Sequence, residues 1–85
     1  MPNIMGKNKE TSPCIAFGIV LRELRKKAEF TQENLAFEAG IERNYVSLIE
    51  LGRNQPTISV IFKLANALNI EPSKMIKLTE AMTSK

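Results

Sequence analysis

Residues 31–52 read TQENLAFEAGIERNYVSLIELG, and the fold turns on how this stretch divides. Thr31 precedes a short run in which Leu35, Ala36 and Ala39 fall on one helical face. A Thr hydroxyl placed there accepts a hydrogen bond from the first-turn N–H groups that a helix leaves unpaired. Glu33 lies near the positive end of the same helix, where an acidic side chain is favoured. Gly40 follows at once, and a glycine just past a helix end supplies the left-handed backbone of a sharp turn. Ile41 is an apolar plug, and helical spacing resumes over residues 42–51 with Val46 and Ile49 inward. Gly52 closes this second segment in the same way. Two such short helices, joined by a three- to four-residue turn, cross steeply only under two conditions. The turn residue must tolerate a left-handed backbone, and the first helix must offer a small side chain at the contact. Gly40 and Ala36 meet these demands.

On the N-terminal side, Phe17, Val20, Leu21, Leu24 and Ala28 recur at i, i+3, i+4, i+7 and i+11. This is the apolar stripe of a helix over residues 13–28. Ser12 serves as its N-cap, Pro13 as its first helical residue, and Arg25, Lys26 and Lys27 suit its negative end. On the C-terminal side, residues 53–56 form a loop and Thr57 is a second capping Thr. Ile58, Ile61, Leu64, Ala65 and Leu68 then make a fourth helix, ended by Asn69 and followed by Ile70 as a core plug. Pro72 opens a fifth helix carrying Met75, Ile76, Leu78 and Met82. Strict two-residue alternation, a hairpin dipeptide and internal repeats are all missing. The expectation is an all-α domain of five helices over residues 13–85, preceded by a disordered arm over residues 1–12, which is polar and aperiodic.

The chain has 85 residues, 12 Lys+Arg against 9 Asp+Glu for a formal charge of +3, one Cys and no His. That length allows one domain with a modest core and no large substrate cleft. Without His, the commonest general base and the commonest zinc ligand are missing; Cys14 alone supplies neither a metal cluster nor an intrachain disulfide. A Gly-rich phosphate loop and a converging carboxylate pair are also absent from the sequence. The expectation is therefore a protein that is not an enzyme and needs no metal or cofactor. A lone Cys suits a reducing compartment. No apolar run nears the ~18 residues of a membrane span, and residues 1–12 lack the apolar region of a signal peptide. The chain is expected to be soluble and cytoplasmic, without a membrane partner. Its charge of +3 hints at an anionic partner but is equally ordinary for solubility.

The crossed pair over residues 31–52 is a helix-turn-helix, whose second helix enters the major groove of duplex DNA. Thr31-Gln32-Glu33-Asn34-Leu35-Ala36, Gly40-Ile41, Tyr45-Val46-Ser47, Ile49-Glu50, Gly52 and Pro56-Thr57-Ile58 resemble a known family. It is the five-helix, lambda-repressor-like DNA-binding domain of phage-repressor-type (XRE-like) transcriptional regulators. The run Glu42-Arg43-Asn44-Tyr45-Val46-Ser47 is similar to that of the restriction–modification controller proteins. The resemblance covers about residues 16–78. It implies a homodimer, paired through its C-terminal helices, that places helix 3 of each subunit in successive major grooves of a palindromic operator. It also implies that Arg43, Asn44, Ser47 and Leu48 face base edges, that Gln32 and Tyr45 touch the DNA backbone, and that Arg25 and Glu50 form a buried ion pair.

These side chains suit their tasks. Arg matches guanine O6/N7, Asn matches adenine N6/N7, Ser serves either, and Leu48 meets a thymine methyl or is an incidental exposed apolar residue. Residues 31–50 hold one basic residue against four acidic ones, a formal charge of −3. Attraction to phosphates is therefore expected from Lys26, Lys27 and Arg53 at the flanks, with Lys7 and Lys9 as further candidates. The family often carries basic residues where this chain has Leu51 and Asn54. Phe62, Ile76, Leu78 and Met82 exceed what five short helices can bury, and excess apolar surface marks association. These four are the expected dimer interface, with local packing of the chain end as the alternative.

The functional expectation is a sequence-specific regulator of transcription that binds double-stranded DNA as a homodimer. Occupancy of a promoter represses it, and a surface offered to RNA polymerase at a neighbouring site activates it; a restriction–modification controller does both at its own promoter. The alternative from another class is an antitoxin-type protein-interaction module, whose fifth helix binds a toxin while DNA binding is secondary.

Overall fold

Left-handed residues just past four helix ends give the chain its path. The computed structural model describes residues 11–83. Its elements are α1 (Pro13–Lys27), α2 (Gln32–Ala39), α3 (Arg43–Glu50), α4 (Ile58–Ala67) and α5 (Pro72–Thr83). Lys7, Lys9 and most of the expected arm lie outside the described residues. Hydroxyl caps open three helices: Ser12 Oγ accepts from the Ile15 N–H at 3.2 Å, Thr31 Oγ1 from Asn34 at 3.0 Å and Thr57 Oγ1 from Val60 at 3.1 Å. Positive φ occurs at Glu29, Gly40, Gly52 and Asn69. The N–H of the following residue reaches back each time, from Phe30 to Arg25 O, Ile41 to Ala36 O, Arg53 to Leu48 O and Ile70 to Ala65 O. This six-residue closure satisfies carbonyls that a helix end leaves unpaired and turns the chain within a few residues. The α2–α3 link is the three residues Gly40, Ile41 and Glu42.

The core draws on every helix: Phe17 and Leu21, Leu35, Ala36 and Ala39, Val46 and Ile49, Val60, Ile61, Leu64 and Ala65, and Met75. Some expected positions shift. Ala28 is exposed as the cap of α1, while Ala16 and Arg25 turn inward instead. Leu51 lies past the end of α3 and is 62% exposed. The buried arc of α4 runs from Val60 through Leu64 and Ile61 to Ala65. That phase leaves Ile58 and Phe62, one turn apart, side by side in solvent at 69% and 57% exposure.

Two contacts from one face of α1 hold the end of α3. At Gly18 the backbones meet: a Cβ there would lie 2.4 Å from the Ile49 carbonyl oxygen and 2.8 Å from that of Glu50. Two turns further along the same face, Arg25 Nε donates to Glu50 Oε2 at 2.6 Å and Arg25 Nη2 to Oε1 at 3.1 Å. A second donor to Oε1 is Gln32 Nε2 at 3.0 Å, and Arg25 Nη1 donates to the Phe30 carbonyl at 2.9 Å. The two charged side chains are 11% and 4% exposed, so each depends on the other for the hydrogen bonds that water would otherwise supply.

Helix propensity alone would make Gly18→Ala stabilising by about 1 kcal/mol. The contact with α3 reverses the sign, and a loss of about 1–3 kcal/mol is expected from overpacking; a urea midpoint above wild type would show that α1 and α3 do not meet there. Arg25→Met strands the Glu50 carboxylate and is expected to lose about 3–5 kcal/mol. Arg25→Met/Glu50→Met removes both charges, so a double-mutant cycle should recover most of that loss. Additive losses would contradict the pairing.

Candidate nucleic-acid interface

Val46 and Ile49 pin α3 to the core, and this decides which side chains face outward. At about 100° per residue, Arg43, Ser47, Asn44 and Leu48 occupy one continuous arc of about 140° on the other side of the helix. Arg43 and Asn44 are exposed, and Ser47 and Leu48 are half-buried. The four residues expected to face bases therefore share one surface. It presents a fork of donors, an amide and a hydroxyl beside one apolar side chain. That is the assortment with which a helix distinguishes base pairs in a major groove.

The backbone-contact candidates divide. Lys26 and Lys27 at the end of α1, and Arg53 just after Gly52, are exposed. Tyr45 is half-buried with its ring packed against the core edge. Gln32, the first residue of α2, has its amide N–H on the Glu50 carboxylate. Sequence reasoning missed this role because the two residues are 18 apart and no helical period relates them. Leu51 and Asn54 are both exposed, so the loop after α3 offers Arg53 as its cation. Glu42 caps α3 by position but makes no side-chain hydrogen bond to it.

Among the candidate interface residues, Phe62 and Ile76 are exposed, at 57% and 45%. Leu78 and Met82 instead line a groove of about 490 Å³ with Val20 and Leu24 of α1. Positions 76 and 78 lie about 200° apart on a helix, so the four do not form one surface. Cys14 is half-buried, its thiol 3.6 Å from the Gly52 carbonyl oxygen. Among the described residues no group of His, Cys, Asp and Glu could hold a metal ion, and no helix is long and apolar enough to cross a membrane.

Comparison with known proteins converges on one family. The Helix-turn-helix family model matches residues 21–75. Control protein C.BamHI of Bacillus amyloliquefaciens is 35% identical over 66 residues, 76% of this chain and 82% of that protein. The immunity repressor of Bacillus phage phi105 is 34% identical over 56 residues, 66% of this chain but 39% of the repressor. The crystal structure of the restriction–modification controller protein C.AhdI from Aeromonas hydrophila superposes with a TM-score of 0.72 at 44% identity, covering 73% of this chain and 94% of that one. The helix pair joined by a three-residue turn at Gly40, the inward Val46 and Ile49, the outward polar arc of α3 and these relatives agree: the chain belongs to the XRE-type helix-turn-helix family of DNA-binding transcriptional regulators.

Proposed function

We propose that the protein is a homodimeric controller of a restriction–modification operon, acting at a palindromic operator upstream of its own gene. The observation that carries this reading is the outward arc of α3, on which Arg43, Asn44, Ser47 and Leu48 stand together over a helix fixed to the core by Val46 and Ile49. C.BamHI and C.AhdI, both named as controllers, point to the kind of operon. Arg43 reads guanine and Asn44 adenine, with Ser47 and Leu48 completing the set. Lys26, Lys27 and Arg53 supply phosphate contacts that hold the protein in register without selecting sequence. Gln32 and Tyr45, at the flanks of the same helix pair, add neutral backbone contacts. The protein works in the cytoplasm by occupancy, with no catalytic step, cofactor or membrane. Covering the promoter represses it, and contact with RNA polymerase from a neighbouring site activates it.

A helix of eight residues reads only a few base pairs, so an operator needs two copies. Ile58, Phe62 and Ile76 form the pairing surface; Leu78 and Met82 support α5 against α1 rather than meeting the partner.

Footprinting on DNA upstream of the gene should protect two half-sites one helical turn apart, and protection no better than on random DNA would sink the proposal. In the same assay Arg43→Ala should lose about 1–3 kcal/mol with relaxed discrimination at one base, whereas Lys26→Ala should weaken all sequences alike and flatten the salt slope. Phe62→Glu should shift the sedimenting species from dimer to monomer without loss of helical circular dichroism. An unchanged dimer would move the interface elsewhere.

A further inference from the structure

Glu42 stands immediately before the recognition helix. It is exposed and its side chain makes no bond to the helix it precedes, whereas the hydroxyls of the caps Ser12, Thr31 and Thr57 all do. Its longer side chain suits capping less well than the short Asp, Asn, Ser or Thr. Among the described residues the ion pair joins Arg25 to Glu50, and no hydrogen bond or ion pair engages the Glu42 carboxylate.

An unpaired carboxylate here is a constraint on what the helix can meet. The first residues of a recognition helix are those that contact base edges. A carboxylate has no proton to donate to a phosphate at neutral pH and repels it, so Glu42 weakens binding to DNA of any sequence. The groups in a major groove that can satisfy it are amino donors, and the established match for Glu is the N4 amino group of cytosine. Arg43, next in sequence, pairs best with guanine, so the two neighbours together ask for a donor and an acceptor side by side.

We infer, on the DNA-binding reading above, that Glu42 is a specificity-determining residue that accepts a hydrogen bond from a cytosine amino group in the operator. Its contribution is mainly discriminatory. DNA lacking an amino group at that position leaves the carboxylate facing acceptors and phosphates, whereas DNA with cytosine there gives it a partner.

The test is selection from a randomised duplex library by the wild-type dimer, Glu42→Gln and Glu42→Ala, with titration of each protein on the selected duplex and on random DNA. Position 42 is exposed and makes no side-chain bond, so all three proteins should fold alike by circular dichroism. Both variants should bind random DNA more tightly than wild type, and the ratio of selected to random affinity should fall roughly tenfold or more. One position of the motif should change from cytosine in wild type to adenine with Gln, whose amide matches adenine N6/N7, and lose its preference with Ala. A motif unchanged in both variants, with affinity raised equally on all sequences, would show plain repulsion and overturn the inference alone. A wild-type protein that enriches no motif would overturn it together with the operator reading.

Discussion

The carboxylate of Glu50 is the point on which the helix-turn-helix hangs. It is the last residue of α3, where the helix dipole is negative and an acidic side chain is unfavourable. Arg25 of α1 and Gln32 of α2 offset this with three hydrogen bonds between them, and Arg25 also fastens the α1–α2 connection through the Phe30 carbonyl. One ionised group therefore ties together the scaffold helix, the start of the first helix of the motif and the end of the second. Close backbone approach at Gly18 adds a second fixed point on the same face of α1. A recognition helix held this firmly spends little conformational entropy on binding, so contacts along its outward arc retain their worth.

Local chemistry was legible in the sequence because each signal acts within a few residues. The hydroxyl caps at Ser12, Thr31 and Thr57, the left-handed Gly40 and Gly52, and the inward Val46 and Ile49 follow from neighbours in the chain. Long-range facts were not legible from local chemistry, and the Arg25–Glu50 pair was expected only through the family resemblance. Nothing about Gly18 or its flanking residues announces the carbonyls of Ile49 and Glu50. Gln32 has the composition of a surface residue until Glu50 is placed beside it. The phase errors have the same origin. Ile58 and Val60 both belong to an apolar pattern, and only the direction from which α2 and α5 cover α4 decides that Val60 is buried. Glu29 takes a left-handed backbone usually given to Gly or Asn, so its residue type does not announce the turn.

The exposed apolar residues show what patterning leaves undecided. A count of surplus apolar residues treats Phe62, Ile76, Leu78 and Met82 alike, yet α5 uses two sides of itself. Met75 and Thr79 point to the core, Leu78 and Met82 flank them toward α1, and Ile76 flanks them on the other side. The side that carries Ile76 is therefore the one left to solvent, together with Ile58 and Phe62 of α4.

Net charge has a similar division. The positive total of the chain says little about the motif, whose residues 31–50 are net acidic. Removing Glu50, neutralised by Arg25, still leaves Glu33, Glu38 and Glu42 exposed against Arg43. A helix pair with that balance has weak attraction for phosphate, and the positive charge lies at its flanks, on the exposed Lys26, Lys27 and Arg53. Weak general attraction lowers affinity for every sequence by the same factor, whereas base contacts act at the operator alone. For a regulator that must leave the rest of a genome free, the quantity that matters is the ratio of the two. The acidic balance of the motif therefore lowers specific and non-specific binding together, and only groups that distinguish one base from another can raise that ratio.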